Sequence, residues 1–164
     1  MNDPDPPVHD RQTVVDFIHH EAELLDAGDL EAWLELFADD GVYWIPGRAG
    51  HTDPAREVSI VYDDRPRLAA RVARLASGKE YAQDPVSATC HQLSNISVDS
   101  TNGDTVEVSA VQVVYEARPN TGLQIVPSRV AWRVRHSGPR LVILEKRIML
   151  VDLDRYFENL TFVL

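Results

Sequence analysis

A chain of 164 residues, 44% apolar and 26% charged, can bury one self-sufficient core, and its single cysteine, Cys90, excludes an intrachain disulfide and any cysteine-built iron–sulfur or structural zinc site. No apolar run approaches the roughly 18 residues of a membrane span. The acidic, proline-rich start Met1-Asn2-Asp3-Pro4-Asp5-Pro6-Pro7 is the reverse of a secretory signal, so a soluble, cytoplasmic protein is expected.

The formal charge of −10 is unevenly spread: residues 1–40 hold twelve acids against Arg11 alone, and the remainder holds fourteen acids against fifteen bases. Nucleic acid and anionic membrane both require a basic footprint, and neither is expected as a partner. Fourteen of the sixteen basic residues are Arg, the side chain better suited to planar, bidentate pairing with carboxylates.

Residues 1–12 read as a flexible acidic leader and residues 13–164 as a single domain. After the leader, Val14, Phe17, Ile18, Leu24 and Leu25 recur at helical spacing, with acids assigned to the opposite face. Gly28 stops this helix and Asp29 can cap the next, whose apolar positions Leu30, Trp33, Leu34 and Phe37 follow the i, i+3, i+4, i+7 template. Asp39-Asp40-Gly41 closes the helix pair, and Val42-Tyr43-Trp44-Ile45 forms a short strand stopped by Pro46.

Residues 47–56 form an exposed loop, 57–62 a second extended piece, and Asp63-Asp64 leads into a third helix with Pro66 in its first turn and Leu68, Val72 and Leu75 on one face, ending at Gly78. From residue 86 the apolar period changes to two. Long strands over 86–98, 106–117, 125–135 and 141–151 are separated by turn formers such as Asn102-Gly103 and Ser137-Gly138-Pro139, an antiparallel meander. Helices followed by a sheet make the class α+β. The apolar ending, Asn159 to Leu164, is expected as a strand paired in a sheet or buried against another subunit.

Six histidines raise the question of a metal. His19 and His20 are neighbours on a helix and point roughly 100° apart, while His9, His51, His91 and His136 are scattered without ligand spacing, so no metal site is expected. No nucleophile elbow, phosphate loop or dinucleotide fingerprint occurs. A curved sheet wrapped by helices can nonetheless enclose an acid–base pocket without a linear motif. His20, Tyr43 and His91 are the candidates for one, each against a simpler reading: Tyr43 as a core aromatic, His20 as a helix-surface residue, His91 as a hydrogen-bonded strand residue. Trp44, Trp132, Phe157 and Phe162 divide between core and subunit interface.

Taken in order, several segments carry a resemblance. They are Glu21-Ala22-Glu23-Leu24-Leu25-Asp26 with Glu31-Ala32-Trp33-Leu34-Glu35-Leu36-Phe37, then Asp39-Asp40-Gly41-Val42-Tyr43-Trp44-Ile45-Pro46 and Ser59-Ile60-Val61-Tyr62-Asp63-Asp64-Arg65. Arg71-Val72 with Arg74-Leu75, Asp84-Pro85 with Ser87, His91 with Ser94-Asn95-Ile96, and finally Arg147, Leu150 and Asp152 with Asn159-Leu160-Thr161-Phe162 complete the set. From about residue 14 to 164 the chain resembles the small (beta) subunit of aromatic-ring-hydroxylating dioxygenases, components of Rieske non-heme iron oxygenase systems.

The resemblance implies a cone-shaped α+β fold of the nuclear transport factor two, ketosteroid isomerase and scytalone dehydratase type, with N-terminal helices packed on a curved, mostly antiparallel sheet. It further implies a homotrimer within an alpha3beta3 assembly, a mainly structural role in aromatic compound catabolism, no catalytic, cofactor or metal residues in this chain, and a Rieske cluster and mononuclear iron in the alpha subunit. The alternative is a free-standing cone-fold dehydratase or isomerase acting on a hydrophobic cyclic substrate through His20, Tyr43 and His91. One departure from the family pattern is Ser87-Ala88-Thr89-Cys90-His91, where Ala88 and Cys90 stand in place of arginines often found there.

Overall fold

The computed structural model describes residues 10–48, 50–77, 87–100, 103–119, 122–152 and 162–164. Helix α1 spans Arg11–Ala27; the Asp10 side chain accepts from the Gln12 amide at 3.2 Å, and Gly28, at φ 70°, ends the helix in the left-handed conformation that costs glycine least. Arg11 and Gln12, assigned above to the leader, are therefore helical; residues 1–9 lie outside the described set.

Helix α2, Leu30–Leu34, is a single short turn capped by Asp29, shorter than the periodicity to Phe37 predicts. The chain instead becomes extended at Phe37, and strand β1 runs Phe37–Pro46 rather than starting at Val42. A long-range bond decides this: the Ile143 amide donates to the Leu36 carbonyl at 2.7 Å, and Phe37 pairs in parallel with Ile143. Asp39-Asp40-Gly41, predicted to be a turn, is an irregularity within this strand. Gly41 is required there, because a Cβ would lie 2.8 Å from the Ala38 carbonyl oxygen and 2.9 Å from that of Ile143.

Strand β2, Ser59–Asp64, leads directly into helix α3, Arg65–Ala76, with Asp64 accepting from the Arg67 amide and Pro66 in the first turn. The loop between β1 and β2 is tied down: the Glu57 carboxylate accepts from the Thr52 and Asp53 amides, and Arg147 donates to the His51 carbonyl while lying 4.6 Å over the Trp44 ring.

Strands β3 (Ala88–Ser100), β4 (Thr105–Arg118), β5 (Gly122–Ser137) and β6 (Arg140–Leu150) form the expected antiparallel meander, with ends shifted by one to three residues from the alternation. The sheet order is β2-β1-β6-β5-β4-β3, antiparallel throughout except for the β1–β6 pair. Irregularities at Ser94–Ser97 and at Arg133–Val134 bend and twist their strands, so the sheet can wrap around the helices on its inner face. The first includes Asn95, at φ 53°. Between sheet and helices lies the core: Val14, Ile18 and Leu25 of α1, Leu68 and Val72 of α3, and the inward row Val108, Trp132, Ile148 and Val130.

Val163 and Leu164 also enter this core, 6% and 0% exposed. Residues 162–164 are not in a strand, contrary to expectation, and they pack into their own chain; 159–161 and Phe157 lie outside the described residues. Trp44 and Trp132 are core residues. Among the described residues, no helix is long and apolar enough to cross a membrane.

Candidate functional site

The interior is organised around a carboxylate. The stripe of α1 that faces the sheet is Val14, Ile18, Glu21 and Leu25, so Glu21 sits among the apolar residues, 1% exposed, and not on the acidic outer face to which sequence reading assigned it. Three donors meet it: Trp33 Nε1 at 2.9 Å and Lys146 Nζ at 2.7 Å on Oε1, and Trp132 Nε1 at 2.8 Å on Oε2. Lys146 is equally buried and lies 5.8 Å over the Trp132 ring. Burial holds its ammonium below the usual lysine range, and the attraction of Glu21 opposes that shift. A buried carboxylate with both oxygens occupied by fixed donors is suited to holding elements together, since protonation or movement would strand several polar groups at once.

Tyr43, from β1, pairs across the sheet with Lys146 and packs edge-on against Trp33 at 5.8 Å. Its hydroxyl donates to the Leu164 carbonyl at 3.3 Å and accepts from the Leu164 amide at 3.1 Å. Desolvation raises the phenol well above its ordinary value, so it stays neutral. The simpler reading of Tyr43, a core aromatic, describes it.

His91, on β3, has a side chain 1% exposed with Nδ1 2.5 Å from Asp26 Oδ1. Asp26, at the C-terminal end of α1, also accepts from the His91 amide and from Thr89 Oγ1. With the Nδ1 proton directed at this carboxylate, Nε2 carries a lone pair, and that atom is buried without a protein partner. His91 is thus a hydrogen-bonded strand residue pinning α1 to β3. His20 lies on the surface, its ring 55% exposed and 3.8 Å from Glu23. The three candidates do not form one constellation: His20 faces outward, and strands β6, β5 and β4 separate Tyr43 from His91.

Burial lowers the His91 imidazole below its ordinary value; the Asp26 hydrogen bond resists the shift, while Lys146 adds to it. The folded state then binds fewer protons at this site than the unfolded chain, so stability is full above the ordinary histidine pKa of about 6.5 and falls as pH drops through it. The unfolding midpoint in urea should decrease between pH 7.5 and 5.5, and His91→Gln should flatten that decrease. An unchanged slope in the variant would refute the assignment.

A Rieske cluster needs two cysteines and two histidines, a donor set that one cysteine cannot supply. Among the described residues, no group of three or more His, Cys, Asp or Glu converges as a metal cage.

Residues 20–154 match the model of the family described as ring hydroxylating beta subunit. The chain is 36% identical over 146 residues to the small oxygenase component of the p-cumate 2,3-dioxygenase system of Pseudomonas putida, covering 88% of this chain and 80% of that protein. In fold it is similar to the crystal structure of the beta subunit of benzoate 1,2-dioxygenase from Burkholderia mallei, with a TM-score of 0.76 at 24% identity over 94% of this chain and 97% of that one. It is also similar to an NTF2-like protein with a cystatin-like fold from Novosphingobium aromaticivorans, with a TM-score of 0.59 at 21% identity, covering 93% and 90% of the two chains. The part of α1 that carries Glu21 and Asp26, helix α2, the Tyr43 strand and Lys146 all lie within the matched span, and the chain belongs to the family of ring-hydroxylating dioxygenase beta subunits.

Proposed function

We propose that this protein is the structural small subunit of a cytoplasmic aromatic-ring-hydroxylating dioxygenase, a homotrimer that holds three alpha subunits in an alpha3beta3 assembly. The Rieske cluster and the mononuclear iron belong to the alpha subunit, which carries out the oxidation of the aromatic ring. One observation supports this role over acid–base catalysis: the acid–base candidates do not converge on one pocket, since His20 lies on the surface, His91 is tied through Nδ1 to Asp26, and the Tyr43 hydroxyl is engaged on both sides by Leu164. A catalytic acid or base needs a free position toward its substrate.

The outer face of the sheet supports the assembly. Residues alternating with the buried Gln112 and Val114 put Val111, Val113 and Tyr115 of β4 on that face, and Tyr115 pairs with Ile125 of β5. Leu123 and Ile125 are 62% and 46% exposed and Val151, just past β6, is 67% exposed. A contiguous apolar row on a sheet face marks a surface that another subunit covers.

Ile125→Asp would place a charge in that row without touching the core. Co-expressed with its alpha subunit, the variant should fall from the mass of an alpha3beta3 particle to smaller species by sedimentation at micromolar concentration, with little change in its own melting temperature. Retention of the full particle would refute this face as the trimer contact.

A further inference from the structure

A cavity of about 400 Å³ lies where the C-terminal end of α1, helix α2, the end of α3, the start of β3 and the C-terminal residues meet. Its walls are mostly apolar, from Leu25, Leu30, Leu75, Ala76, Phe162 and Val163, and its volume is in the range of small-molecule sites. The polar feature with a fixed orientation is Thr89. Its hydroxyl donates to Asp26 Oδ1 at 3.2 Å, and an ionised carboxylate can only accept, so the Thr89 proton is committed and its oxygen lone pairs remain to receive a donor. Asp26 is itself immobilised by the main chain and imidazole of His91, which fixes the direction of the Thr89 hydroxyl in advance.

Charge narrows the choice of ligand. Asp29 and Glu31 also line the cavity, Asp26 stands behind Thr89, and no Lys, Arg or His is among the described lining residues. Among the described residues, an anion there would meet three carboxylates and no Lys, Arg or His. We infer that this cavity is a binding site for a small, uncharged, largely apolar compound carrying a hydroxyl donor, its apolar body against Leu25, Leu75 and Phe162 and its donor on the Thr89 oxygen. The Asp26–His91 pair acts as a positioning element for that oxygen.

The test is a titration of the full-length, methyl-labelled protein with benzyl alcohol, toluene and benzoate, followed by NMR. Benzyl alcohol should shift the methyl signals of Leu25, Leu30, Leu75 and Ala76 saturably, toluene should bind more weakly, and benzoate should leave them in place. Thr89→Val keeps the shape and removes the acceptor; it should weaken benzyl alcohol roughly three- to ten-fold, the span expected of one hydrogen bond, and leave toluene unchanged. Ala76→Phe, which fills the space, should abolish binding of both; if it does not fold, the near-isosteric Thr89→Val decides. No saturable shift with any compound, benzoate binding as well as the alcohol, or equal binding by Thr89→Val would each overturn the inference. None of these outcomes bears on the assembly reading, which the sedimentation of Ile125→Asp tests separately.

Discussion

Replacing Glu21 with Ala should cost about 3–5 kcal/mol of folding stability, the usual effect of removing one member of a buried ion pair. The loss is large because the carboxylate serves three donors: Glu21→Ala leaves the Lys146 ammonium and the Trp33 and Trp132 indole N–H groups buried with no acceptor. Against a typical total of roughly 5–15 kcal/mol, the variant would be marginal at 25 °C. Adding Lys146→Met removes the stranded charge and should recover part of the loss, which a double-mutant cycle in urea measures as a coupling between the sites. If the double variant were as unstable as the sum of the singles, the two residues would not form one unit. If Glu21→Ala unfolded at the wild-type urea concentration, the network would not be the centre of the fold.

Leu164→Ala should destabilise the protein by about 2–5 kcal/mol, the range for truncating a fully buried leucine, while leaving its assembly state intact wherever it remains folded. The side chain is 0% exposed, and its backbone is gripped on both sides by the Tyr43 hydroxyl. Sequence reading allowed the apolar ending to be either a paired strand or a subunit contact, and the two readings separate here. A core residue lowers the unfolding midpoint; a contact residue lowers the oligomeric mass at unchanged midpoint. The structure predicts the first result, and the second would show that the C-terminal residues belong to an interface. Tyr43→Phe is the companion: it leaves the Leu164 amide without its acceptor and should cost about 1–3 kcal/mol.

The parts of the fold legible in the sequence were those set by local chemistry. Gly28, Asp29, Asp64 and Pro66 mark helix ends because capping and left-handed backbone are decided within a few residues. The meander was readable because β3 to β6 are neighbours in sequence and space. The start of β1 was not, since Phe37 is drawn out of its helical pattern by pairing with a strand about a hundred residues later.

The centre of the cone was hidden for similar reasons. Glu21 carried one signal, an acid at the helical spacing of Val14, Ile18 and Leu25. Lys146 carried less, because the irregularity beside Arg133–Val134 changes the alternation in β6: Ile143 and Lys146, three apart, both face inward. A strict period of two from Ile143 would have placed Lys146 outside. Tyr43 was read alternatively as a core aromatic and His91 as a hydrogen-bonded strand residue, yet sequence could not show their partners, Leu164 for the one and Asp26 for the other.

Affinity purification of the tagged protein from its native host, with iron analysis of what is recovered, tests the structural-subunit role most directly. It should bring down a larger chain carrying a Rieske-type spectroscopic signature, with all of the iron assigned to that partner. Recovery of an iron-free homo-oligomer that alone converts a hydrophobic cyclic substrate would contradict it.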